Sequence, residues 1–89
     1  MILELHAIFS GHVQGVGFRY NTRSIAATYP IAGWVRNLPN GTVEMLAQGE
    51  KLVLERFLNE ILRYFTDNIR EKEINYRKQG NKLNSFQIA

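Results

Sequence analysis

Residues 2–9 (ILELHAIF) put Leu3, Leu5, Ala7 and Phe9 on one side of an extended chain and Glu4 and His6 on the other. After a glycine-rich interval the spacing changes: Phe18, Thr22, Ile25, Ala26 and Tyr29 fall on one stripe of a helix that Pro30 stops. A period of two marks a strand with one face in a core, and a period near 3.6 marks a helix with one buried stripe. A strand that runs through a short loop into such a helix buries its apolar face against the helix stripe, because each has only one face to hide. This pairing constrains every later element.

The remaining elements follow from the same patterns. Residues 33–37 (GWVRN) and 42–48 (TVEMLAQ) read as strands flanking Leu38-Pro39-Asn40-Gly41. Pro39 suits the first central position of a type I turn, and Gly41 suits the left-handed position after it in a bulged hairpin. Leu54, Phe57, Leu58, Ile61 and Phe65 form the apolar stripe of a second helix, with Glu55, Arg56, Asn59, Glu60 and Arg63 elsewhere. Residues 69–78 read as a weak strand carrying Ile74 and Tyr76, and Ser85–Ile88 as a short closing strand after a Gly80-Asn81 turn. The predicted fold is α+β, a ferredoxin-like α/β sandwich of order βαββαβ. Its sheet is mostly antiparallel, and both helices pack on one face. Residues 1–89 are read as a single domain, since an 89-residue chain carries one modest core. That arrangement hosts many functions, so it decides no activity by itself.

Composition removes several chemistries. There are no cysteines, which excludes disulfides, thiolate catalysis and cysteine-held zinc. No apolar run is long enough to span a bilayer, and the first residues lack a secretory pattern, so a cytoplasmic location without membrane attachment is expected. The net charge of +3 suits an anionic partner of any size, from a phosphate ester to a nucleic acid. The basic residues after position 62 alternate with Asp67, Glu71 and Glu73, a pattern of a solvated face rather than a nucleic-acid track.

The informative stretch is GHVQGVGFR at 11–19. Glycines at 11, 15 and 17 permit backbone angles that let successive N–H groups converge on one point. The loop enters a helix N-terminus, where unpaired N–H groups and the dipole favour an anion. Arg19 falls in that first turn, where the same dipole disfavours a cation. An anion between the loop amides and Arg19 resolves the conflict, and the guanidinium can bond two phosphate oxygens at once. Two other phosphate motifs are absent: no Lys-Ser/Thr follows the glycines, and Tyr20 stands where the last glycine of GxGxxG belongs.

The string Gly11-His12-Val13-Gln14-Gly15-Val16-Gly17-Phe18-Arg19, followed by Gly33-Trp34-Val35-Arg36-Asn37 and Gly41-Thr42-Val43-Glu44, closely resembles the acylphosphatase family. The likeness covers about residues 3–62, and Phe86-Gln87-Ile88 resembles the family's closing strand. It implies hydrolysis of the carboxyl–phosphate bond of small acyl phosphates by a monomeric enzyme that needs neither metal nor cofactor. The phosphate-cradling loop would be Gly11, His12, Val13, Gln14, Gly15 and Val16, through their backbone amides. Arg19 would be the catalytic arginine that holds the phosphoryl group, and Asn37 the catalytic asparagine that orients water. An amide can position a water but is too weak a base to deprotonate it. Asn40 already fills the turn role, which leaves Asn37 at a strand end without a local job.

Other residues carry less. His12 reads as an exposed loop residue and His6 as a residue of the polar strand face, and the pair makes a poor metal site. Tyr20, Arg23 and Arg36 are candidates to border the site but read first as surface helix or strand positions, and Trp34 reads as a packing residue. The second half departs from the family pattern: residues 63–80 lack a Gly-Pro or Gly-Ser break, Lys72 stands at an aliphatic position, and Pro30 replaces a glycine. The alternative function is a non-catalytic phosphate- or RNA-binding module. Sheet-face RNA binders carry aromatic residues on their central strands, whereas Thr42–Leu46 has none.

Overall fold

The computed structural model describes residues 1–89. Its elements are β1 (Ile2–Gly11), α1 (Phe18–Ala26), β2 (Ala32–Asn37), β3 (Val43–Glu50), α2 (Lys51–Tyr64), β4 (Ile69–Lys78) and β5 (Phe86–Ile88). They form one five-stranded sheet in the order β4-β1-β3-β2-β5, with β2–β5 parallel and the other neighbours antiparallel. Both helices pack on the sheet face that carries Leu5, Ala7, Phe9, Val35, Val43, Met45 and Ala47, all fully buried. The ferredoxin-like α+β expectation holds, and the short last strand supplies the sheet's parallel pair.

The first helix stops sooner than Pro30 would require. After Ala26 the amides of Thr28 and Tyr29 bond to the carbonyls of Ile25 and Ala26, a tighter i−3 winding that ends the α-helix before the proline is reached. Tyr29 still completes the apolar stripe, meeting the Phe57 ring edge-on at 5.8 Å. Residues 69–78, weak as a strand in the sequence, form a ten-residue strand along β1. The weakness comes from its edge position: Arg70, Glu71, Lys72 and Glu73 are exposed, and charges of this kind keep a free edge from pairing with other chains. Lys72 stands opposite Phe9 in register but in solvent.

The polar side of β1 differs from its sequence reading in one respect: Glu4 is buried. Its carboxylate accepts from Gln48 Nε2 at 2.9 Å, Arg77 Nε at 2.8 Å and the Gly80 amide at 3.2 Å. Gln48, also buried, donates to the Asn81 carbonyl at 2.7 Å and accepts from the Leu83 amide at 2.8 Å. Together these two side chains hold the 79–85 connection on the sheet and so deliver β5 to the edge of β2. His6 Nε2 lies 2.7 Å from Glu44 Oε2, and Arg36 Nε donates to Glu44 Oε1 at 2.7 Å. The histidine thus belongs to a satisfied cross-strand cluster.

Burial works to raise the Glu4 carboxyl, but its hydrogen bonds from Gln48, Arg77 and Gly80 and the charge of Arg77 outweigh it, holding the group below the usual range. Burial likewise opposes ionisation of Glu44, and the hydrogen bonds and charges of His6 and Arg36 prevail there too. Both carboxylates therefore add stability that is complete above their unfolded value of about 4.5 and is lost as pH falls through the lower folded values. Urea midpoints should fall from pH 7 to pH 3, and Glu4→Gln should flatten that slope. A slope unchanged by the substitution contradicts this account. Thr22 Oγ1 is fully buried without a partner, so Thr22→Val should raise stability by about 1 kcal/mol in the same urea assay.

Candidate active site

The loop between β1 and α1 is fixed from both ends and from its middle. At the β1 end, Gly11 passes the corner before β4 so closely that a β-carbon would run into the Asn68 carbonyl and the Arg70 amide. The next amide, His12 N–H, donates to Asn68 O at 2.9 Å. Val13 turns its side chain into the core. Gln14 Nε2 donates to two carbonyls across the site, Leu38 O at 2.8 Å and Thr42 O at 2.9 Å, tying the loop to the β2–β3 turn. At the helix end, Phe18 is buried with its ring 5.4 Å from Phe9 and stacked on Phe65 at 4.2 Å.

Between these anchors, Gly15 and Gly17 both take φ +76°, the left-handed region that other residues adopt only with strain. The resulting path leaves the amides of Val13 through Tyr20 without any protein acceptor; the first helical bond is Asn21 N–H to Gly17 O at 3.0 Å. Helix α1 starts with no side-chain cap and no acidic residue in its first turn. Arg19 sits in that turn, half-buried, with no carboxylate and no hydrogen-bonding side chain or carbonyl beside it. An uncapped helix start, free amides and an unpaired guanidinium all favour an anion at one place.

Asn37 comes to the same place from the end of β2. Its side chain is half-buried and hydrogen-bonds to no protein group. Arg19 and Asn37 line one cleft of about 180 Å³, together with Gly15, Gly17, Tyr20 and Ile88 and the edges of Val13 and Phe18. The turn that follows Asn37 is the expected one: Leu38 N–H bonds Thr42 O, Gly41 takes φ +89°, and Asn40 Oδ1 accepts from the Thr42 amide and hydroxyl. Asn37 has no part in that turn's side-chain bonding.

The structure therefore brings Arg19, Asn37, Val13 and Gly15 to one cleft, ties the His12 amide to Asn68, and leaves the Gln14 and Val16 amides free while their side chains anchor the loop. Gly11 and His12 hold the loop to the corner before β4, Gln14 holds it to the β2–β3 turn, and Val16 packs against the core. The side chain of His12 is exposed, and Arg23 and Arg36 lie outside the cleft. Sequence reasoning did not select Ile88, whose place depends on parallel pairing of β5 with β2 in the register Val35↔Ile88. No local pattern announces that pairing. No group of three His, Cys, Asp or Glu side chains is arranged to hold a metal ion, and no helix is long and apolar enough to cross a membrane.

Comparison with known proteins identifies the family of the chain. The sequence pattern of the acylphosphatase family matches residues 5–88. The chain belongs to the acylphosphatase family. A relative named acylphosphatase in Methanospirillum hungatei is 59% identical over 54 residues, covering 61% of this chain and 59% of that protein. The aligned part thus spans about three fifths of that relative's length. Another acylphosphatase, from Oceanobacillus iheyensis, is 39% identical over 80 residues and covers 88% of both chains. The crystal structure of an acylphosphatase from Bacillus subtilis superposes with a TM-score of 0.88 at 29% identity over 98% of each chain.

Gln14 is the one side chain that joins the two halves of the cleft. Removing its amide takes one of two donors from each of the Leu38 and Thr42 carbonyls, which keep their bonds from the Gly41 and Leu38 amides, so Gln14→Ala should lower the unfolding free energy by about 1 kcal/mol in urea titration. No loss would mean that the bridge is unimportant.

Proposed function

We propose that this chain hydrolyses acyl phosphates to a carboxylate and inorganic phosphate. One observation carries the reading: a single cleft is lined by Arg19 and Asn37, whose side chains have no protein partner, and by Val13, Gly15 and Gly17, whose amides have no protein acceptor. The family membership supports it, since the relatives compared bear the name of that activity.

The residues suggest how the reaction proceeds. Loop amides and the start of α1 receive the phosphoryl oxygens, and Arg19 bonds two of them and offsets their charge. Asn37 Oδ1 accepts a hydrogen bond from a water, aiming its oxygen at phosphorus on the side away from the acyl group. The new P–O bond forms as the bond from phosphorus to the acyl oxygen breaks, and the electron pair leaves with the carboxylate. A carboxylate is a weak base, so it departs without a proton donor. No histidine, carboxylate or lysine lines the cleft, so the water's proton passes to a phosphoryl oxygen of the substrate. Positioning and charge stabilisation supply the rate, as is usual in phosphoryl transfer. On this reading residues 1–89 act as one cytoplasmic, monomeric catalytic domain that uses neither metal nor cofactor. A nucleic-acid role draws little support from the sheet: the open face of β1 and β3 carries Glu4, His6, Ile8, Glu44, Leu46 and Gln48 with no aromatic residue, and Trp34 on β2, the one aromatic of that face, lies against the Arg36 guanidinium.

Benzoyl phosphate should be hydrolysed without added metal and with the chelator EDTA present. Arg19→Ala should lower kcat/KM by roughly a thousandfold. Asn37→Ala should lower kcat severely while inorganic phosphate binding, followed by NMR titration, largely remains. An Arg19→Ala protein as active as the parent would sink the mechanism.

A further inference from the structure

The polar groups of the cleft account for a phosphoryl group and a water, but two of its lining residues serve neither. Tyr20 follows Arg19 on the first turn of α1 and keeps 61% of its surface exposed. Ile88, brought in by β5, lines the same cleft half-buried. The other large apolar residues open to solvent, Met1, Ile2, Leu52 and Tyr64, lie away from it. An exposed aromatic ring beside an anion site has a flat face to offer a ligand. The ring also has a cationic neighbour. The Arg23 guanidinium lies 5.5 Å from its centroid, yet Arg23 lines the neighbouring hollow beside Ile31 and Phe86 rather than this cleft. Arg23 thus approaches the ring from outside the cleft.

Charge sharpens the choice of ligand. Arg19 is the only charged residue lining the cleft, and the phosphoryl group uses it. An acyl group carrying a second phosphate or a carboxylate would find no cation there, and a methyl group would cover little of the ring. We infer, resting on the hydrolase reading above, that Tyr20 and Ile88 form a subsite for the acyl half of the substrate, selecting uncharged aromatic acyl phosphates over acetyl phosphate.

Non-hydrolysable acylphosphonates test this without turnover. Benzoylphosphonate and acetylphosphonate share the anionic half and differ only in the acyl group. By NMR titration the parent should bind the benzoyl compound about tenfold tighter, as ring burial of this kind supports. Tyr20→Ala should bring the two affinities close together, and Tyr20→Phe, which keeps the ring, should retain the preference. Because Tyr20 is exposed, both variants should keep the parent's circular dichroism and melting profile. Equal affinities in the parent, a preference that survives Tyr20→Ala, or no binding of either compound would each overturn the subsite. A Tyr20-dependent preference in a protein that hydrolyses no acyl phosphate would support the subsite and overturn the hydrolase reading alone.

Discussion

The ring of Phe18 lies between Phe9 of β1 and Phe65 at the end of α2, and most of what matters in this fold is positioned by that contact. It joins the first strand, the first helix and the second helix through one buried side chain. Emptying such a position typically costs about 3–5 kcal/mol in a core of this kind. Its larger effect is directional. With Phe18 turned inward, the next residues along the first helical turn, Arg19 and Tyr20, are set toward the cleft. The site's cation is therefore located by an apolar contact.

The same economy appears in the loop. Gly11 and His12 fasten it to the corner before β4, Val13 to the core, and Gln14 to the hairpin that presents Asn37. Groups from two distant stretches of chain thereby share one rigid frame. Donors already in position need no reorganisation when an anion arrives, which is the condition under which electrostatic stabilisation is strongest. On the opposite face of the sheet, Glu4 and Gln48 do comparable work: they hold the 79–85 connection, and through it Ile88 reaches the cleft.

Local periodicity made β1, both helices and the β2–β3 hairpin legible, because each has one buried face and recognisable turn chemistry. Arg19 was legible as a cation set against a helix dipole, and Asn37 as a strand-end amide without a turn role. The rest depends on tertiary placement. The ladder along Ile69–Lys78 was faint because an edge strand needs few apolar residues. Glu4 read as a solvent-facing residue because its partners, Gln48, Arg77 and Gly80, are distant in sequence. The anchoring role of the His12 amide requires knowing where Asn68 lies, and Ile88 enters the cleft only because a three-residue strand pairs in parallel with β2. The resemblance of the motifs to a family supplied roles that spacing alone left open between a phosphate ester and a larger anion.

The free amides of the loop belong to the main chain, and this changes where the site is vulnerable. Exchanging the side chains of Val13 or Val16 leaves every N–H donor in place, so a scan of side chains would pass over the free amides altogether. What encodes them is the turn of the backbone at Gly15 and Gly17. At Gly15 a methyl group would meet nothing within 4 Å, so the restriction there is one of angle and not of room. The row of free amides is written in torsions, and its only letters in the sequence are two hydrogen atoms where side chains would otherwise be.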